Sequence, residues 1–148
     1  MPIDANWMEE HILLHKLNGG SQSLLDEVLE LVHFQTGDEI ISQGATGGQL
    51  YILRSGLAVI TQKMDGRSIY LGHANEGDLF GEMSFLNGTE PSATVTAHSD
   101  CIAYKLDLIG YCKLVTRDHE LLLSLFTYIL TYSGNKLRRM NEQYIARA

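Results

Sequence analysis

The sequence predicts a mainly β domain with flanking helices: a jelly-roll barrel, or double-stranded β-helix, followed by a long C-terminal helix. Three observations carry this reading. Ten of the 14 glycines fall between Gly37 and Gly88, so the middle of the chain turns often and its ends do not. Between those glycines lie short runs rich in β-branched and aromatic residues, with turns every eight to twelve residues or roughly so, the pattern of a barrel or sandwich. From Asp107 to Tyr144 there is no proline, and Gly110 and Gly134 are the only glycines, which suits helix. The 148 residues read as one domain, with helices over 1–32, a β-roll over 33–106 and helices over 107–148.

In chain order, Trp7, Ile12, Leu13 and Leu17 fit one helical face, and Asn18-Gly19-Gly20 breaks the run. Ser23 with Asp26 three residues on reads as a helix start, after which Leu24, Leu25, Val28, Leu29 and Val32 repeat at helical spacing. Strands are expected at Glu39–Ile41, Leu50–Leu53, Leu57–Ile60, Ile69–Leu71, Val95–Ala97 and Cys101–Leu106. Asp65-Gly66 should close a hairpin, because both residue types tolerate the positive φ of a tight turn. Asp118 is a plausible cap for the last helix. On that helix Phe126, Leu130, Ser133, Leu137, Met140 and Tyr144 alternate in steps of four and three, a heptad seam expected to pair two copies of the chain.

Composition narrows the function. The formal net charge of −7 argues against clamping a nucleic-acid backbone, which needs a surplus of Lys and Arg. Cys101 and Cys112 are too few for a disulfide framework and read as reduced, buried thiols. The acidic, polar start is unlike a secretory signal, and the longest apolar stretch, Leu121–Leu130, is too short to span a bilayer, so a cytoplasmic protein without a membrane partner is expected. His11 and His15 have i, i+4 spacing but lack the glutamate of a zinc hydrolase helix. There is no His-x-His for a cupin metal site and no G-x-S-x-G, so neither an enzyme nor a bound cofactor or metal is expected.

The informative segment runs from Gly77 to Val95. A strand ends at Phe80, Gly81 permits close backbone approach, and a short helical turn can begin near Met83, where free N–H groups would cradle an anion. Glu82 would repel an anion but accept hydrogen bonds from sugar hydroxyls, while Ser92, Ala93 and Thr94 bring small side chains to the next strand. Such a set suits a sugar phosphate; spacing alone leaves an ordinary glycine-rich loop equally open.

This segment resembles the phosphate-binding cassette of the cyclic nucleotide-binding domain family, through Phe80-Gly81-Glu82 and Ser92-Ala93-Thr94-Val95. Upstream, Gly37-Asp38-Glu39-Ile40-Ile41 with Gln43-Gly44, and Tyr51-Ile52-Leu53-Arg54-Ser55-Gly56, are similar to two further motifs of that family, in the right order. The last helix resembles the dimer helix of catabolite activator-like regulators. The resemblance implies that Gly81 and Glu82 hold a ribose 2′-hydroxyl, with Met83 beside them, and that Ser92 and Ala93 contact a cyclic phosphate. It also implies an arginine at position 91, where this chain has Pro91. Losing a charge-assisted partner to an enclosed anion costs about 2–5 kcal/mol, roughly 30- to 5000-fold in affinity. Arg54, Lys63, Arg67 and Lys136 are the candidate replacements, and by length the base-contacting position falls near Asn135 or Lys136.

The expected function is therefore a ligand-sensing regulatory module for cAMP or cGMP with a divergent cassette, dimeric through its last helix. The alternative is a degenerate domain that no longer binds nucleotide and serves as a dimeric protein-interaction module. Direct DNA binding is not expected, since a helix-turn-helix would have to follow Tyr144 and only four residues do.

Overall fold

The computed structural model describes residues 3–46 and 48–147, with side chains up to residue 143. The eight strands are β1 (Leu29–Phe34), β2 (Glu39–Ile41), β3 (Leu50–Ser55), β4 (Ala58–Met64), β5 (Arg67–Ala74), β6 (Leu79–Phe80), β7 (Thr94–Ala97) and β8 (Cys101–Leu106). They form two antiparallel four-stranded sheets, ordered β1-β8-β3-β6 and β2-β7-β4-β5, so the expected jelly-roll architecture is present. Met64 pairs with Arg67 across Asp65 and Gly66, whose φ angles of 53° and 77° are those of the anticipated hairpin turn.

The first sheet is buried on both faces, and its strands divide their side chains by parity. Tyr51, Leu53, Phe80, Cys101 and Ala103 point between the sheets, where they meet Ala58, Val95 and Ala97. Leu50, Ile52, Leu79, Tyr104 and Leu106 point the other way, into a second core built with the helices. β5, at the edge of the second sheet, leaves the consecutive residues Ile69, Tyr70 and Leu71 all open to solvent.

Five helices supply the second core. α1 (Ala5–Met8) is capped by Asp4, whose side chain accepts from the Trp7 N–H, and runs on as a wide π-type turn over Glu9–Leu13. That widened turn brings Trp7 and Ile12, five residues apart, onto one buried face. α2 (Gly19–Val28) starts at Asn18, whose Oδ1 accepts from the Ser21 N–H at 2.8 Å. The residue read as a breaker is thus the cap, and Ser23 lies inside the helix. The helix also ends four residues early: Leu29 and Val32 belong to β1, where Leu29 pairs with Leu106. α3 (Glu82–Asn87) is a short helix between β6 and β7, and α4 (Leu108–Arg117) follows β8.

α5 (His119–Arg147) begins where expected, with the Leu121 N–H on Asp118 Oδ1 at 3.0 Å. Ser21 also donates to this carboxylate, and that bond is the main reason its pKa sits below the usual carboxylate range. The helix has two parts. Leu121, Leu125 and Ile129 are fully buried against the domain, whereas every side chain from Gly134 to Gln143 is exposed. The expected heptad seam divides accordingly. Phe126 packs inward, 5.8 Å from the Tyr111 ring, and is not part of a free stripe. Leu130, Leu137 and Met140 face solvent, together with Leu123 one heptad earlier. The side chain of Tyr144 lies outside the described residues. Cys101 is buried as expected, but Cys112 is exposed on α4, because the buried positions of that helix are Gly110 and Leu114.

A second set of contacts joins both ends of the chain to the β5–β6 turn. Trp7 Nε1 donates to Glu76 Oε2 at 2.8 Å, and the Arg54 guanidinium lies 4.8 Å over the Trp7 ring while pairing with Asp4 at 3.3 Å. One residue on, the Gly77 carbonyl accepts from the Tyr128 hydroxyl of α5.

α4 approaches the junction of α2 and β1 so closely that a Cβ on Gly110 would stand 2.7 Å from the Val28 carbonyl oxygen. Gly110→Ala should therefore destabilise the fold by about 2 kcal/mol through overpacking. Urea unfolding checks this: the midpoint should fall while the slope is unchanged.

A cassette cavity between alpha3, beta7 and alpha5

Gly81 shapes the site. It ends β6 with φ of 82°, and a Cβ there would lie 2.5 Å from the Gln49 carbonyl oxygen, so neither its conformation nor its space admits a side chain. The chain reverses at Gly81 directly into α3, which puts Glu82 at the first position of the helix and turns it inward. Ser84 then fixes the loop that follows, donating to the Thr89 carbonyl at 2.5 Å and accepting from the Gly48 N–H at 3.2 Å. On the far side, the Pro91 carbonyl accepts from the Gly44 N–H at 2.9 Å, and Thr94 Oγ1 accepts from the Gln43 N–H at 3.1 Å. Gly44 has φ of 79°, which accounts for a glycine after Gln43.

These constraints enclose a cavity of about 360 Å³. Its wall contains every site residue expected from the sequence: Gly81, Glu82, Met83, Ser92, Ala93 and Lys136. Ile41, Ile60, Phe80 and Val95 form the apolar floor. Ser84, Asn87 and Thr89 also line it and were not read from sequence; only their place between the two halves of the cassette signalled them. Asn135 does not line it.

The electrostatics are unusual for an anion site. Two carboxylates face the space, Glu82 and Glu90, and Pro91 occupies the place where the family resemblance called for arginine. Arg54 is committed to Asp4 and Glu76, away from the cavity, and neither Lys63 nor Arg67 lines it. Among the described residues Lys136, from α5, is the single cation on the wall. Glu82 is 6% exposed, and its carboxylate makes no hydrogen bond or ion pair among the described residues. Among the described residues no fully occluded side-chain oxygen or nitrogen lacks a partner, so the unbonded Glu82 oxygens are not fully occluded.

α5 presents Tyr128, Tyr132 and Lys136 at i, i+4 spacing, one row toward the cassette side. The two tyrosines stack at 6.5 Å between ring centroids. Burial, then the charges of Asp78 and Glu82, push the Tyr132 pKa up, so its hydroxyl stays neutral at any physiological pH. The histidines lie elsewhere: His11 Nδ1 is 3.1 Å from the Trp7 carbonyl oxygen, and His15 Nε2 meets Ser124 Oγ at 2.6 Å.

A jelly roll with a short helix inserted after β6, a cavity beside that helix and a long C-terminal helix reaching the cavity wall defines a β-roll with room for a small ligand. The family profile described as "Cyclic nucleotide-binding domain" matches residues 31–117, more than half of the chain. The chain belongs to the cyclic nucleotide-binding domain family, as its motifs implied. Among relatives, it is 35% identical over 92 residues to a cAMP-dependent protein kinase regulatory subunit of Mucor circinelloides f. lusitanicus. That match covers 62% of this chain and 22% of the subunit, so the chain spans about a fifth of that relative's length. A cyclic nucleotide-binding domain from Methylobacillus flagellatus KT has the same fold, with a TM-score of 0.83 at 14% identity, covering 97% of this chain and 82% of that one. The regulatory domain of Toxoplasma gondii PKA, solved with cAMP, superposes with a TM-score of 0.65 at 25% identity, covering 81% of this chain and 46% of that one.

Proposed function

We propose that the chain is a ligand-sensing regulatory module that takes a cyclic nucleotide, cAMP or cGMP, into the cassette cavity and relays occupancy through α5. Glu82 carries the reading. A carboxylate this buried is costly unless donors satisfy it, and it has none among the described residues. Ribose hydroxyls would supply them. Gly81 and Ala93 leave room for a sugar to approach the backbone, and the apolar floor suits a base. The similar Toxoplasma domain, solved with cAMP, supports the same ligand class. Pro91 supplies neither charge nor N–H, so binding is weaker than with an arginine there.

α5 is the element suited to report binding, because it is anchored at Tyr128 yet exposed beyond Ser133. Its outward row of Leu123, Leu130, Leu137 and Met140 supports a homodimer formed along this helix. That row, with Pro91, also favours a second reading: a dimeric interaction module that has lost its nucleotide.

Calorimetric titration with cAMP and cGMP separates the two. Micromolar to sub-millimolar binding of either is expected, and silence at millimolar ligand overturns the sensing reading for both. Glu82→Ala should weaken that binding at least about tenfold, with the unfolding midpoint little changed, since the carboxylate holds nothing else in place. Pro91→Arg should tighten it at least about tenfold by restoring a forked, charged donor. Leu137→Glu tests the helix pairing: sedimentation velocity should show a dimer for the unmodified chain and a monomer for the variant.

A further inference from the structure

We infer that Lys136 of α5, and no residue of the cassette, is the cation that receives the ligand's anionic group, so that binding the anion and docking the outer half of α5 are one event. This rests on the reading that the cavity takes a cyclic nucleotide. Three observations carry it. Among the described residues the cavity wall holds Glu82 and Glu90 but a single positive side chain, and that one is contributed by a different element from the carboxylates. Among the described residues Lys136 forms no ion pair, so its ammonium is uncommitted. The helix around it, from Gly134 to Gln143, has only exposed side chains and no core contact holding it to the domain.

The consequence is thermodynamic. A ligand shifts an equilibrium between two helix positions only through contacts that differ between them. A cation in the cassette touches the anion wherever the helix stands, so it adds affinity and no bias. A cation on the helix touches the anion only when the helix is docked, so its contact is almost all bias. With Pro91 in the cassette and Lys136 on α5, the phosphate becomes the bridge between them, while the two carboxylates oppose helix-independent capture of the anion.

The test compares cAMP with adenosine, which keeps the base and the ribose but lacks the phosphate. Calorimetry should give cAMP binding at least about tenfold weaker in Lys136→Gln than in the unmodified chain, with adenosine binding changed less than about twofold. Arg138→Gln, which removes a charge from the same helix outside the cavity wall, should leave both unchanged. Hydrogen exchange supplies the second readout. cAMP should slow exchange of the backbone amides of residues 133–143 in the unmodified chain. The double variant Pro91→Arg/Lys136→Gln should bind cAMP at least as well as the unmodified chain yet leave those amides unprotected. Unchanged cAMP affinity in Lys136→Gln, or protected amides in the double variant, overturns this inference and leaves the sensing reading standing. Absence of binding of both cAMP and adenosine to the unmodified chain overturns the sensing reading, and the inference with it.

Discussion

The β1-β8-β3-β6 sheet is buried on both faces, and the rest of the molecule is organised by that constraint. Successive residues of β3 belong to different cores: Leu50 and Ile52 to the helical one, Tyr51 and Leu53 to the one between the sheets. Neither core can form without the other, because each uses the same short strands as its wall. β6 is the last strand of that sheet, and its two residues divide in the same way, Leu79 toward the helices and Phe80 toward the second sheet. Gly81 follows at once. The cassette therefore grows directly out of the two-sided wall, with Phe80 in its floor, and its turn is held by a carbonyl only 2.5 Å from where a side chain would begin.

On this rigid base the site combines parts that do not balance electrostatically. Glu82 is buried and has no partner among the described residues, Glu90 adds a second negative charge, and Pro91 cannot offset either. In a cavity partly screened from water, charges act at a lower effective dielectric than on the surface, so the imbalance weighs heavily on an anionic ligand. The positive side chain on the wall comes from α5, which is held to the domain through Leu121, Leu125, Ile129 and the Tyr128 hydroxyl and has exposed side chains beyond Ser133. On the reading proposed above, the body of the domain holds the sugar and α5 meets the charge.

Much of this was legible in the sequence, for local reasons. Asp65-Gly66 and Gly81 require backbone conformations that few other residues accept, and the turns formed where those residues stood. The six site residues gathered into one cavity because the cassette is nearly contiguous in the chain and Lys136 lies at a length set by the helix. What was missed depended on tertiary context. Leu29 and Val32 continue the helical period of α2, yet strand pairing with β8 takes them. Asn18 looked like a break because a cap and a breaker use the same residue types. Phe126 fits a heptad, but the domain surface reaches it first. Ser84 gave no signal beyond its place in the cassette, since its importance is two hydrogen bonds, one to Thr89 in the loop that follows and one from Gly48 in a loop distant in sequence.

The β5–β6 turn has a mechanical meaning. Glu76 is gripped by Trp7 from the first helix and Gly77 by Tyr128 from the last. Contacts from the first and last helices thus meet at neighbouring residues, five and four positions before Gly81. The turn is a junction: a displacement of either end of the chain would be felt there, a few residues before the buried Glu82.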